Sequence, residues 1–142
     1  MAIERTLAIV KPDGMKHLVE ILGIICENDL LVEEISIHKL SEDVVDNHYA
    51  HLLDKEFYPK LRDYMLSGEV AVMILSGDNA VEVLRNMMGP TDSNLADKDT
   101  IRGRFGTDIT YNAIHGSDSI ESAEQEIERF FPNKGRKYVL KY

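Results

Sequence analysis

The chain has 142 residues, 44% hydrophobic and 29% charged, with a formal net charge of −9. That is the size and composition of one soluble globular domain spanning residues 1–142, and its negative balance argues against non-specific nucleic-acid or anionic-membrane binding as a main role. A single cysteine, Cys26, excludes an internal disulfide, no apolar run approaches the ~18 residues of a membrane span, and Met1-Ala-Ile-Glu-Arg-Thr lacks a signal-peptide core, so a cytoplasmic location is expected.

Thr6 to Val10 is a short apolar run stopped by Lys11-Pro-Asp-Gly14, which reads as a buried strand ending in a turn. Leu18, Ile21, Leu22 and Ile25 follow helical spacing and predict a helix over 16–27. Leu30 to Leu40 reads as a second strand, with Ile35 and Ile37 alternating against Ser36 and His38. Ser41 caps a helix whose face is Val45, His48, Tyr49 and Leu52. Phe57, Leu61, Tyr64 and Met65 make a further helical stripe. Val70 to Leu75 is a near-continuous apolar run, hence a central strand. Gly77-Asp-Asn79 turns into a helix carrying Ala80, Val83, Leu84 and Met87, which ends at Gly89-Pro90.

From Thr91 to Tyr111 the chain is polar and without clear periodicity, the mark of a functional or disordered loop. A short fourth strand is expected near Asn112 to His115. The last helix starts at Asp118 or Ser119 and ends at Phe131-Pro132, with Ile120, Ala123 and Ile127 as its stripe and an Asp118–Glu121 capping box. The tail from Asn133 to Tyr142 is locally basic. The order β-α-β-α-α-β-α-loop-β-α fits an α/β (α+β) sandwich of the split βαβ kind: a ferredoxin-like four-stranded antiparallel sheet with helices packed on it.

His115 stands at the end of the fourth strand, followed by Gly116 and a helix start. Free backbone N–H groups and the helix dipole favour an anion there. An imidazole, with an unperturbed pKa of about 6.5, is a competent nucleophile at neutral pH. Lys11 leaves a buried strand at the carboxyl edge of the sheet, where ligands bind in such folds. Arg85, off the apolar stripe of its helix, and Arg102 and Arg104, in the long loop with Thr91, together can give an acidic chain one positive pocket. Glu126 lies on the last helix beside the apolar stripe, placed to reach back to His115. Singly, each of these residues has an ordinary alternative: a solvated charge, a satisfied strand-end histidine, or, for Tyr49 and Phe57, a core aromatic. His48 and His51 are three apart, but no third ligand is evident, which argues against zinc. Neither a Walker A pattern nor a G-x-G-x-x-G fingerprint is present.

Five segments carry a resemblance across nearly the whole chain: Arg5-Thr-Leu-Ala-Ile-Val-Lys-Pro-Asp-Gly14, His48-Tyr49, Gly89-Pro-Thr91, Thr100-Ile-Arg-Gly103, and Asn112-Ala-Ile-His-Gly-Ser-Asp-Ser119 with Glu121-Ser-Ala123. In them the chain resembles the nucleoside diphosphate kinase family. The resemblance implies ping-pong transfer of the γ-phosphate of a nucleoside triphosphate through His115 to a nucleoside diphosphate. By the same resemblance Arg85, Thr91 and Arg102 hold phosphates, and Tyr49 sits beside the transferred group. Lys11 and Asn112 bind the ribose and the phosphate side of the sugar. Phe57 stacks on the base in a slot lined by Leu61 and Ile109, and Glu126 and Ser117 orient the imidazole. Mg²⁺ enters with the nucleotide, bridging its β- and γ-phosphates. Stacking without edge-reading implies broad base tolerance.

The segment from Met15 to Ile21 is about two residues shorter than the family's usual turn and lacks its glycine. Glu56 stands where a proline commonly precedes the stacking aromatic, and the loop from Ser93 to Thr100 lacks a proline that many members carry. A homo-oligomer built from dimers is expected, with tetramer and hexamer both open. Two competing readings are a phosphohistidine carrier that passes phosphate to a protein partner, and an idle regulatory or nucleic-acid-binding module. The carrier has no need of nucleotide contacts at Phe57, Arg85, Thr91 and Arg102. The charge of −9 and the intact histidine motif count against the module.

Overall fold

The structure, a computed structural model, describes residues 3–132. Four strands, β1 (Ile3–Val10), β2 (Leu31–His38), β3 (Val70–Asp78) and β4 (Ile114–Gly116), form one antiparallel sheet in the order β2-β3-β1-β4. Six α-helices are described: α1 (Leu18–Glu27), α2 (Glu42–His48), α3 (Tyr58–Leu66), α4 (Ala80–Met88), α5 (Ile101–Phe105) and α6 (Ile120–Phe130). This is the expected ferredoxin-like arrangement.

The two central strands are apolar and buried over residues 7–10 of β1 and 70–75 of β3, where both faces of the sheet are covered. Ala8 and Val10 point into one core with Ile21, Ile25, Met73 and Leu84. Leu7 and Ile9, alternating with them, point into a second core with Val45, Tyr49, Met65, Ile74 and Ile127. The edge strand β2 alternates as predicted, but Leu31, Ile35 and Ile37 are on its exposed side. A bulge between Val32 and Glu34 shifts its register against β3.

Several boundaries differ from those predicted. A 3-10 turn over Pro12–His17 precedes α1, so the helix begins at Leu18. Strand β3 runs through Gly77 and Asp78, and the turn is confined to Asn79 in the left-handed region. Segment 91–111 is irregular except for two short pieces. Asp92 caps a 3-10 turn at Ser93–Leu95, and Thr100 caps α5 through its hydroxyl. Strand β4 starts two residues later than expected, at Ile114. The cap of α6 is Ser119, whose Oγ accepts from the Ser122 N–H at 3.0 Å, so no Asp118–Glu121 capping box forms. Ile120 is 49% exposed and outside the stripe that buries Ala123 and Ile127. The basic tail lies outside the described residues. Among the described residues no helix is long and apolar enough to cross a membrane.

Candidate active site

Antiparallel pairing of β1 with β4 sets Ile9 opposite His115 and Val10 opposite Ile114. The residues just beyond each strand are thereby brought together. The Lys11 N–H donates to the Ala113 carbonyl at 2.8 Å, and Lys11 Nζ donates to Asn112 Oδ1 at 2.8 Å. Asn112 spends its amide protons on the carbonyls of Thr91 at 2.8 Å and Ile109 at 3.1 Å, tying the 91–111 segment to the sheet edge. Ala113 adopts a φ of 72°, a left-handed conformation disfavoured for a residue with a Cβ. Its N–H donates to Asp13 Oδ2 at 3.1 Å, and Asp13 also accepts from the Tyr64 hydroxyl, so the strained turn is held from outside. Gly116 is required by packing, because a Cβ there would lie 2.5 Å from Met88 Sδ and 2.8 Å from Leu84 Cδ2.

These elements enclose a cavity of about 530 Å³. Of the residues singled out from sequence, Lys11, Tyr49, Phe57, Leu61, Arg85, Thr91, Arg102, Ile109, Asn112, His115 and Glu126 all line it. Ser117 is fully buried behind it. Arg104 is not brought in: it is exposed, with its guanidinium 4.8 Å from the Phe105 ring. Sequence reasoning missed His48, His51, Leu52, Thr110 and Asp118 as lining residues. His48 was read as part of an apolar helix face and of the resemblance, and Asp118 as a cap within the histidine motif, but neither was read as lining the site.

The imidazole of His115 is fixed from the protein side. Its Nε2 lies 2.8 Å from Glu126 Oε1, which also accepts from Ser117 Oγ at 2.9 Å. Burial works against ionisation of Glu126, but the hydrogen bonds from His115 and Ser117 hold it below the ordinary carboxylate value. The ring of His48 packs edge-on against that of His115, centroids 4.8 Å apart. Burial, and then the neighbouring His115, push His48 down to about 3, so it stays neutral. His48, His115 and Glu126 bring three metal-type donors within 4.8 Å. Arg129 Nη1 donates to His48 Nδ1 at 3.1 Å, and Glu126 takes His115 Nε2, so these donors already serve one another.

Three cations give the acidic chain its positive pocket. Arg102, although on a helix and not in a loop, is buried, and its guanidinium donates to the carbonyls of Gly89 at 3.1 Å and Ile114 at 2.9 Å. Gly89 has a φ of 84°, and its carbonyl faces Arg102 because of that turn. Burial, followed by the nearby Arg85, lowers Arg102 to about 10. Burial and the Arg102 charge lower Lys11 to about 8, against the pull of Asp13. Arg85 Nη1 donates to Asp118 Oδ1 at 2.7 Å at the mouth of the cavity. Across the pocket Tyr49 is buried, whereas Phe57 is 56% exposed and presents an open ring. The first turn of α6 lines a neighbouring groove with Glu4, Asn79 and Glu82, and that groove shares Arg85 and Asp118 with the cavity.

Comparison with known proteins agrees with this geometry. The family model described as nucleoside diphosphate kinase matches residues 4–135. The nucleoside diphosphate kinase of Anaeromyxobacter dehalogenans is 44% identical over 134 residues, 93% of this chain and 91% of that protein. That of Thermobifida fusca is 37% identical over 133 residues, 92% of this chain and 98% of that protein. Among solved structures, the Aquifex aeolicus nucleoside diphosphate kinase superposes with a TM-score of 0.89 at 36% identity, covering 94% of this chain and 99% of that one. The halophilic enzyme of Halobacterium salinarum, solved in complex with CDP, gives a TM-score of 0.89 at 34% identity over 94% of this chain and 91% of that one. With its model matched over nearly the full length and these relatives sharing the sheet, the chain belongs to the nucleoside diphosphate kinase family.

Proposed function

We propose that this chain moves the terminal phosphate of a nucleoside triphosphate onto Nδ1 of His115 and then onto a second nucleoside diphosphate. One observation carries the reading: His115 lines a cavity beside Lys11, Arg85 and Arg102, with its Nε2 engaged by Glu126. In the first half-reaction the Nδ1 lone pair attacks the γ-phosphorus, the bond to the β-phosphate oxygen breaks, and the diphosphate leaves. The ring keeps its Nε2 proton on Glu126, whose carboxylate offsets the charge that develops. In the second, a β-phosphate oxygen of the incoming diphosphate attacks the same phosphorus and the P–N bond breaks. Phosphoryl transfer of this kind needs chiefly positioning and charge neutralisation.

Arg85, Arg102 and Thr91 hold the phosphates, Tyr49 sits beside the transferred group, and Lys11 with Asn112 binds the ribose. Phe57 stacks on the base between Leu61 and Ile109, a contact open to every base. The cavity's carboxylates, Asp118 and Glu126, are each paired with a side-chain partner, so Mg²⁺ would come in with the nucleotide, and Asp118 is the carboxylate that could hold it once freed from Arg85. When bound, Mg²⁺ supplies neutralisation of the β- and γ-phosphate charge. The exposed apolar residues Leu31, Ile35 and Ile37 on edge strand β2 support a homo-oligomer built from dimers, tetrameric or hexameric. The proposal includes a single domain over residues 1–142 and a cytoplasmic location, which the lone Cys26 suits.

The test is to incubate the protein with γ-labelled ATP and Mg²⁺, isolate it, and add unlabelled GDP. Label should transfer to the protein in an acid-labile form and leave as GTP. Label that stays on the protein would refute nucleotide exchange.

A further inference from the structure

Phe57 sits at the very start of α3 with more than half its surface in solvent, and its side chain makes no cap for the helix. The chain linking it to α2 is a 3-10 turn at Ala50–Leu52 and a further run of turns, with Leu53 exposed as well. The far end of α3 is anchored by buried Tyr64 and Met65. At the near end the Tyr58 ring is buried in the second core, and polar ties are added to it. The Tyr58 hydroxyl donates to Asp46 Oδ1 of α2 at 2.6 Å, and Arg62 donates to the same carboxylate through Nε at 2.8 Å and Nη2 at 3.3 Å. Arg62 also lies 3.8 Å from Glu42. The Tyr58 ring is buried edge-on to Tyr49, centroids 6.2 Å apart. Tyr58 follows Phe57 and Arg62 follows Leu61, so each partner of Asp46 is the chain neighbour of a residue in the base slot.

We propose that Asp46 is a positioning residue for base binding: by holding Tyr58 and Arg62 it fixes the start of α3, and with it Phe57, at the mouth of the cavity. The inference rests on the reading that Phe57 stacks on the base. An exposed ring carried on an unfixed backbone must be ordered when the base arrives, and that ordering subtracts from affinity; a ring on a fixed helix start has lost that freedom already. Hydrogen bonds from Arg62, then from Tyr58, hold the Asp46 carboxyl below its usual range, so the strut persists across neutral assay conditions.

The experiment is steady-state kinetics of Asp46→Ala, Asp46→Glu and Tyr58→Phe with GTP and with CTP as donors, alongside single-turnover labelling at saturating donor. Asp46→Ala should raise KM for GTP by about five- to tenfold, a fraction of what an aromatic platform gives a base, and raise KM for CTP less, because the smaller ring stacks less. The maximal rate and the single-turnover rate should stay within about twofold, and Asp46→Glu should recover most of the loss. Tyr58→Phe removes only the hydroxyl and carries the same test at about two- to threefold should Asp46→Ala fail to fold. A purely stabilising strut would lower the melting temperature without moving KM. Wild-type exchange with unchanged KM in the variants, or an equal rise for both bases, overturns the role of Asp46 and leaves the functional reading standing. A wild-type protein that exchanges no phosphate overturns both.

Discussion

Glu126→Gln should slow both half-reactions by about 10- to 100-fold while leaving the fold intact. Glu126 Oε1 accepts from His115 Nε2 at 2.8 Å and from Ser117 Oγ at 2.9 Å, with the side chain only 13% exposed. A hydrogen bond to a charged group contributes roughly 1.5–3 kcal/mol and a neutral one roughly 0.5–1.5 kcal/mol. A loss already present at rest cancels in the rate, so what slows the step is the attraction that only the carboxylate gains as the ring becomes charged, roughly 1.5–3 kcal/mol on the scale of a hydrogen bond to a charged group. At about 1.4 kcal/mol per factor of ten, this gives the stated range. The chain has no tryptophan to report the reaction by fluorescence, so the assay is rapid mixing with γ-labelled ATP and an alkaline quench that preserves phosphohistidine. Discharge of the labelled protein by ADP is followed in the same way. Because one imidazole both takes and gives the phosphate, both directions should slow together; wild-type rates in both would reduce Glu126 to a helix residue of no catalytic consequence.

His115→Ala should lose all transfer between ATP and other diphosphates while its circular dichroism and melting curve stay near wild type; acid-labile label on that variant would move the phosphate site elsewhere. Arg85→Ala and Arg102→Ala should each lower kcat/KM by about 10- to 100-fold if a charge-assisted phosphate contact contributes roughly 1.5–3 kcal/mol. Only Arg102→Ala should also lower the melting temperature, because Arg102 alone of the two satisfies the buried carbonyls of Gly89 and Ile114; equal stability of the two variants would contradict this division. Lys11, lowered to about 8, is a cation below that pH and loses its charge as pH rises through it. kcat/KM, which reports the free enzyme, should therefore fall on an alkaline limb near pH 8, and Lys11→Arg should move that limb upward; superimposable profiles would exclude Lys11 as its source.

The central strands were readable because burial on both faces leaves residues 7–10 of β1 and 70–75 of β3 as unbroken apolar runs. Helices α4 and α6 were readable because each turns a continuous stripe to the sheet. What escaped was set by tertiary contacts or by pieces too short to show a period. Helix α5 spans five residues and is defined by the Thr100 cap more than by its side-chain pattern. Asp118 had the composition of a cap, but the Arg85 guanidinium takes its carboxylate and Ser119 caps in its place. Ile120 fits the stripe of α6 by spacing, yet at the first turn it overhangs the core edge. In the site, the reach of Glu126 to His115 followed from its place on the last helix beside the apolar stripe, whereas charge suggested one pocket for Arg85, Arg102 and Arg104, of which Arg104 stays out, and the phosphate roles of Arg85, Thr91 and Arg102 came from resemblance. His48 was invisible as a neighbour of His115 because a residue on one helix carries no sequence mark of the strand it will touch.

If Arg85 holds a nucleotide phosphate as proposed, its ion pair with Asp118 makes capture an exchange of partners. A phosphate that claims Arg85 must displace a carboxylate and return it to water. Exposed pairs of this kind contribute little each, so a triphosphate engaging Lys11, Arg102 and the base slot at once outcompetes Asp118 easily. A lone inorganic phosphate has no such second foothold and meets a guanidinium already occupied. On that reading Asp118 is a weak resident competitor, lowering the affinity of Arg85 for a lone phosphate by about fivefold at most. Because one ion pair replaces another, added salt weakens both sides of the exchange, and capture at Arg85 should be less salt-sensitive than at a bare arginine.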